Sequence, residues 1–233
     1  MSFKRKITPS KSLTGLELDQ ALVSIGIRLA TEPSKAIFNI EDVLLSASIE
    51  GICDEDYRVL GLLTDWIEVH GRLINLDRLA KLISLVDNGK VRRFWKAISQ
   101  WQVRDSRFKK LGKLAKTKGR QPLIEVGGDF LIKKNGEDER FRGTALQVPN
   151  LTLRRRLGDI QPPQSLARMN PFYHFRLMIG PSYRADLWAL LSRNRELTPT
   201  ELARLAYASF ATAWSVKRDF QIFEERKSGT ALA

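Results

Sequence analysis

The chain has few of the side chains that metal binding and nucleophilic catalysis require. Among its 233 residues there are one cysteine, Cys53, and two histidines, His70 and His174. One cysteine excludes an intramolecular disulfide framework. Neither histidine has a second histidine or a cysteine at the spacing typical of metal ligands, and acidic residues directly after Cys53 disfavour a thiolate nucleophile. We therefore expect no catalytic residues, no metal and no cofactor.

Long apolar runs are also missing. Apolar stretches such as residues 21–27 are far shorter than the roughly 20 residues that a membrane-spanning helix needs. The basic first ten residues are not followed by an apolar stretch of signal-peptide length. Hydrophobic residues make up 43% of the chain and charged residues 28%, which is typical of a folded globular protein. We expect a cytoplasmic, nucleoid-associated protein with no membrane partner.

Positive charge is concentrated in the middle of the chain. The net charge is +13, and residues 89–120 hold 12 Lys and Arg against a single acidic residue. Such a concentration is typical of proteins that bind polyanions, although a solvated basic linker would look the same. The cations that we expect to contact phosphate groups are Lys90, Arg92, Arg93, Lys96, Lys109, Lys110, Lys113, Lys116, Lys118 and Arg120.

The region before this basic segment has the opposite charge. Residues 13–88 hold 6 Lys and Arg against 13 Asp and Glu. Because this balance repels DNA, we expect the region to face a protein partner or a second copy of the chain, as in a homodimer.

The strongest local pattern lies near the C-terminus. Thr198-Pro-Thr-Glu combines an N-cap, a proline at the first helical position and the glutamate of a capping box. This predicts a short helix over residues 199–205. After a turn, Ser209 is placed to cap a second helix over residues 210–223. An apolar helix over residues 184–192 precedes both.

These residues resemble the helix-turn-helix and winged-helix transcriptional regulators. The matching segments are Leu197-Thr-Pro-Thr-Glu-Leu-Ala-Arg-Leu, Ser209-Phe-Ala-Thr-Ala-Trp and Lys217-Arg-Asp-Phe. The resemblance implies that the second helix enters the major groove of double-stranded DNA and that the protein binds as a dimer. It departs from the family at Tyr207, where the turn usually has a glycine, so the turn is expected to be longer or differently wound.

The helical wheel of residues 210–223 divides into two faces. Its inner face is predicted to hold Ala213, Val216, Phe220 and Phe223. On the outer face we expect Arg218 to meet guanine or phosphate, whereas Lys217 meets phosphate. Trp214 is equally suited to packing against another domain. The residues expected to contact DNA are Ser209, Phe210, Ala211, Thr212, Trp214, Ser215, Lys217, Arg218 and Gln221.

The central region repeats the theme. Asp77-Arg-Leu-Ala-Lys-Leu resembles Glu201-Leu-Ala-Arg-Leu, and each precedes a basic helix that contains tryptophan. Residues 57–142 are therefore a candidate second winged-helix-like unit. Its wing would be a β-hairpin over residues 123–142, with a type I′ turn at Asn135-Gly136.

The predicted fold is mainly α with a small β-hairpin and helix-turn-helix or winged-helix-like units. The predicted segments are a basic tail at 1–12, a helical domain at 13–103, a basic linker or arm at 104–121, a hairpin and connector at 122–163, and a helix-turn-helix domain at 164–233. The predicted function is sequence-specific DNA binding, as in bacterial transcriptional regulators or plasmid replication proteins. The alternatives are an antitoxin-like protein that also binds a partner, an ordinary helical pair inside a core, and a nonspecific RNA- or DNA-binding protein.

Overall fold

A computed structural model describes residues 12–34, 36–115 and 119–229, with side chains described as far as Glu225. Twelve α-helices lie within these residues, and they confirm the mainly α fold. The chain divides into two compact units at Pro162–Pro163. None of the described helices has both the length and the hydropathy that crossing a membrane requires.

The first unit is built around α2, which packs against α1, α3, α4 and α5. Its largest fully buried side chains include Trp66, Trp95 and Phe141. The helices of its described part are α1 (Gly15–Ser24), α2 (Ile40–Cys53), α3 (Tyr57–His70), α4 (Leu76–Leu85), α5 (Gly89–Trp101), α6 (Lys109–Gly112) and α7 (Gly128–Asn135).

Side-chain caps define where α2 to α5 begin. The side chains of Asn39, Asp56, Asn75 and Asn88 each accept a hydrogen bond from a backbone N–H in the first turn of the helix that follows. Each cap satisfies a donor that has no partner within the helix, which contributes about 1 kcal/mol.

The β-hairpin predicted over residues 123–142 is wrong. Residues 128–135 form α7, and the N–H of Gly136 ends it by donating to Ile132 at 2.8 Å. The two short strands, β1 (Gln121–Pro122) and β2 (Leu146–Gln147), pair in parallel. An Asn-Gly pair favours both a type I′ turn and a helix C-terminus, because glycine adopts positive φ in each, and Gly136 has φ +79°.

The second unit consists of five helices within its described residues. α9 packs against α8 and α10, and α12 packs against α10 and α11. A buried ion pair joins α9 to α10, since Arg176 donates to both carboxylate oxygens of Asp186 at 2.8 and 2.9 Å. The helices are α8 (Pro163–Met169), α9 (Pro171–Ile179), α10 (Tyr183–Arg193), α11 (Pro199–Leu205) and α12 (Phe210–Gly229).

Candidate nucleic-acid interface

The start of α11 has the predicted capping box. The backbone N–H of Glu201 donates to the Thr198 hydroxyl at 3.2 Å, and the N–H of Thr198 donates to the Glu201 carboxylate at 2.8 Å. The Thr198 hydroxyl also donates to this carboxylate, at 2.7 Å. The bonds from the Thr198 N–H and hydroxyl stabilise the charged carboxylate and hold the pKa of Glu201 below its usual value. Pro199 is the first residue of the helix, where its missing N–H costs nothing.

The turn between α11 and α12 is short, and it is closed by backbone hydrogen bonds. The N–H of Ala208 donates to Ala203 at 2.9 Å and the N–H of Tyr207 donates to Arg204 at 3.4 Å. This is the Schellman pattern, which requires a left-handed residue just beyond the helix. Tyr207 adopts that conformation with φ +53°. The expectation of a longer or differently wound turn is therefore wrong, because Tyr207 takes the backbone conformation that glycine usually supplies.

Two polar side chains of the predicted DNA-contacting set define the start of α12. The Ser209 hydroxyl accepts from the N–H of Thr212 at 3.1 Å and lies 2.7 Å from the Thr212 hydroxyl. Ser209 is thus the helix cap that the sequence predicts. The two hydroxyls therefore form a hydrogen bond with each other.

The inner face of α12 is largely as predicted. Ala213 and Val216 are fully buried and Phe220 is nearly so. Phe223 differs, because 45% of it is exposed, although its ring still lies 5.5 Å from that of Trp188 on α10. The inner face holds α12 against α10 and α11, and its apolar stripe continues beyond them into a more exposed position at Phe223.

The outer face of α12 is exposed and mixed in character. Phe210 is 57% exposed and Trp214 is 50% exposed. Ala211, Arg218 and Gln221 are also exposed, whereas Thr212, Ser215 and Lys217 are half-buried. Most of the predicted DNA-contacting side chains therefore share one accessible face of one helix.

Lys217 and Arg218 have different surroundings despite being adjacent. The Lys217 ammonium donates to the Leu197 carbonyl at 2.8 Å, which ties α12 to the loop before α11. The Arg218 guanidinium lies over the Trp214 ring, with its Cζ 5.2 Å from the ring centroid. Asp219, the nearest acid to Arg218 at 3.8 Å, is paired with Arg184 at 2.7 Å. Lys217 therefore supports the loop, and Arg218 is the more available cation.

Much of the basic side of α5 is bonded within the first unit, which corrects the prediction for Arg93 and Lys96, whereas phosphate contact by Lys90 and Arg92 stays a prediction. Buried Arg93 donates to the Gly119 carbonyl at 3.1 Å, and Lys96 donates to the Ala115 carbonyl at 3.2 Å. Lys90 pairs with Glu125 at 2.6 Å, and Arg92 donates to the Ser84 carbonyl at 3.4 Å. Burial also lowers the pKa of Arg93. These cations hold neighbouring chain segments in place.

The segment after α5 keeps only part of its predicted phosphate-binding set. Lys109 and Lys113 are exposed, and within the described residues neither has an ion-pair partner. Lys110 pairs with Asp77 at 2.5 Å. Arg120 is anchored, because it donates to Glu137 and to the Thr144 carbonyl. The remaining two predicted contacts, Lys116 and Lys118, lie outside the described residues.

The candidate second winged-helix-like unit at residues 57–142 lacks its predicted wing, and most of α5 is buried in the first unit. Residues 86–88 do join α4 to α5 by a short turn. However, α5 buries most of its circumference, including Val91, Arg93 and Phe94, and leaves only a narrower side at Arg92 and Gln100. The expected wing is α7 rather than a hairpin. The buried side of α5, which includes Trp95, belongs to the core of the first unit.

An aromatic groove in the second unit was missed by the sequence reasoning. It has a volume of about 500 Å³ and lies between α9, α10 and α12. The Trp188 ring at its centre lies 5.2 Å from Phe220 and 6.2 Å from Phe175. The signal in the sequence was the set of aromatic residues on the three helices, but their convergence depends on the packing of α9, which the local patterns did not predict.

Comparison of the chain with protein-family models, with curated proteins and with solved structures finds no match. Within the described residues, no group of three or more His, Cys, Asp or Glu side chains is placed to hold a metal ion. The support for a function therefore comes from the geometry of α11, its turn and α12.

Proposed function

We propose that this chain binds double-stranded DNA through α12, in the manner of a helix-turn-helix regulator. The proposal rests on the helix caps and the turn within residues 198–218. A capped short helix ends in a Schellman turn, and a second capped helix follows with an exposed outer face. Two helices in this order, with a third behind them, are what a major-groove reader requires.

Packing within the second unit supports the same function. α12 contacts both α10 and α11 through a narrow buried stripe that includes Ala213 and Val216. The opposite side, from Phe210 to Arg218, remains exposed. A recognition helix must be held from behind and left open in front, since an α-helix fills the width of the major groove.

The second unit has a net positive charge, which favours binding to a nucleic acid. Residues 163–233 hold 10 Lys and Arg against 6 Asp and Glu. Arg204 on α11 and Arg218 on α12 are both exposed. In this arrangement Lys217 positions the loop before α11, Arg204 is available to phosphate, and Arg218 is available to a base edge or phosphate.

Enrichment of full-length protein on a random duplex library, followed by Arg218→Ala, tests the proposal. We expect a reproducible preferred site, on which Arg218→Ala costs roughly 1–3 kcal/mol of binding free energy, with a much smaller loss on random DNA. Arg168→Ala on α8 is the control, because it removes the same charge from an exposed position of the same unit. Equal, small losses for both variants, or no retained duplex, would contradict base reading by α12.

A protein partner is the second candidate, and the apolar content of the outer face favours it. Ile222 is 60% exposed, in addition to the exposed aromatic residues Phe210 and Trp214. An antitoxin-like protein would use such surface, or its acidic residues 13–88, to hold another chain. Light scattering of the full chain distinguishes a second copy of itself from a monomer. Binding to RNA and DNA with equal affinity would instead favour a nonspecific polyanion binder.

A further inference from the structure

The exposed face of α12 places an aromatic ring and a cation in contact. Trp214 and Arg218 are one helical turn apart, and the guanidinium carbon lies 5.2 Å from the ring centroid. This distance is within the range of cation–π attraction. The Trp214 residue is 50% exposed and the Arg218 side chain 58% exposed. The guanidinium and the partly exposed Trp214 side chain are therefore accessible to solvent on the same face.

Arg218 keeps its hydrogen-bonding capacity for another molecule. Within the described residues it donates no hydrogen bond, and its contact with Asp219 is a long 3.8 Å. The carboxylate of Asp219 is taken up by Arg184 at 2.7 Å. A guanidinium that already rests on a ring loses less conformational freedom when it binds. Its planar fork matches a pair of acceptors, and in the major groove guanine presents such a pair at O6 and N7.

Phe210 and Trp214 extend the same stripe with apolar surface. They are four residues apart, and each is at least half exposed. From Phe210 to Arg218 the helix rises about 12 Å, close to the length of three to four base-pair steps. The apolar group that the major groove offers is the C5 methyl of thymine. A thymine beside the guanine would therefore cover the indole ring.

Resting on the proposed binding of duplex DNA, we propose that Trp214 and Arg218 form one reading unit for a guanine that has a thymine as its neighbour. Arg218 donates to O6 and N7 of the guanine. The Trp214 ring contacts the thymine methyl and holds the guanidinium in place. The two bases are read together because the two side chains are stacked on each other, so the loss of either side chain weakens recognition of both bases.

Base analogues in the enriched duplex test the reading unit without changing the protein. Each guanine is replaced in turn by 7-deazaguanine, which lacks N7, and each thymine by uracil, which lacks the methyl; pairing and phosphate charge are unchanged. With the full-length chain we expect a loss of at least about 5-fold at one guanine, the lower end of what a bidentate arginine–guanine pair discriminates. A smaller loss is expected at the adjacent thymine.

Protein variants then show which side chain is responsible for each loss of affinity. Arg218→Lys keeps the charge but loses the planar fork, so it should no longer respond to 7-deazaguanine; Arg168→Lys is the matched control and should respond as the wild type does. Trp214→Ala should lose the response to uracil. If the duplex binds but no analogue matters, or if Trp214→Ala keeps the uracil response, the reading unit is wrong while DNA binding stands. If no duplex is bound, the proposed function fails as well.

Discussion

Tyr207 illustrates how one residue type can hide a familiar backbone conformation. A tyrosine in place of glycine suggests a different turn, yet its φ of +53° is the left-handed value that the Schellman closure needs. Left-handed backbone costs a residue with a Cβ roughly 1–2 kcal/mol. The side chain of Tyr207 is half-buried. The sequence could not predict this conformation, because residue type alone favours glycine at a left-handed position.

Substitutions at Tyr207 should therefore reverse the usual order of alanine and glycine. Both Tyr207→Ala and Tyr207→Gly remove the ring, but only glycine relieves the left-handed backbone. We expect Tyr207→Gly to be more stable than Tyr207→Ala by about 1 kcal/mol, measured by urea unfolding of the full chain. At Ala203 inside α11 the same comparison should run the other way, with glycine less stable by a similar amount. Equal stability of the two Tyr207 variants would contradict the strain.

His70 should make the stability of the first unit depend on pH. Its Nε2–H donates to the Gln161 carbonyl at 3.1 Å, and burial lowers its pKa from 6.5 to about 4. The unfolded imidazole takes up a proton below about pH 6.5, whereas the folded one does so only near pH 4. Stability is therefore complete above this window and falls as the pH is lowered through it, by at most about 1.4 kcal/mol per pH unit.

The measurement is urea unfolding at a series of pH values from 7 to 4. His70→Gln should remove this contribution and give a shallower loss of stability than the wild type, even if its stability at pH 7 is lower. Parallel curves for the two proteins would show that His70 does not titrate in this way. His174→Gln is the control, because His174 is exposed.

At the scale of elements, local signals predicted the helices better than they predicted the helices' surroundings. Patterns within a few neighbouring residues predicted the capping box at Thr198, the cap at Ser209 and the inner stripe of α12. All three are present in the structure, except that Phe223, predicted on the inner stripe, is partly exposed. The hairpin prediction failed because the Asn135-Gly136 pair is favoured both in a type I′ turn and at a helix C-terminus. The prediction for the basic face of α5 failed in part because Ala115, Gly119 and Glu125, distant along the chain, bond to its cations.

The cap of α11 should be measurable by itself. Thr198→Ala removes the hydroxyl that accepts from Glu201 and should cost about 1 kcal/mol of stability. Thr198→Ser keeps the hydroxyl and should stay close to the wild type. The readout is the unfolding transition of the full chain followed by helical circular dichroism. A serine variant as unstable as the alanine variant would show that the methyl group, not the cap, matters.

At the scale of the whole molecule, net charge alone does not say which cations contact DNA. Lys109 and Lys113 are exposed, whereas Arg93 and Lys96 donate to backbone carbonyls. Neutralising the first pair with glutamine should make the slope of log K against log salt shallower by about 1.8, if both lysines contact phosphate. Neutralising the second pair removes the same charge and should leave the slope unchanged.

Titration of DNA binding with salt, for both double variants, is the measurement. Folding must be checked in parallel, because Arg93→Gln and Lys96→Gln withdraw donors from the Gly119 and Ala115 carbonyls. An equal change of slope in both variants would mean that the general field of the protein, and not contact at Lys109 and Lys113, sets the salt dependence.

The buried pair of Arg176 and Asp186 has a consequence for how this sequence can diverge over evolutionary time. Each side chain is fully buried and the two are joined by two hydrogen bonds. Loss of either partner alone leaves a buried charge unpaired and costs about 3–5 kcal/mol of stability. Replacing both with apolar residues of similar volume often leaves the stability unchanged. Descendants of this chain should therefore keep both residues or lose both. Positions 176 and 186 should covary more tightly than any exposed ion pair, such as that of Lys110 and Asp77.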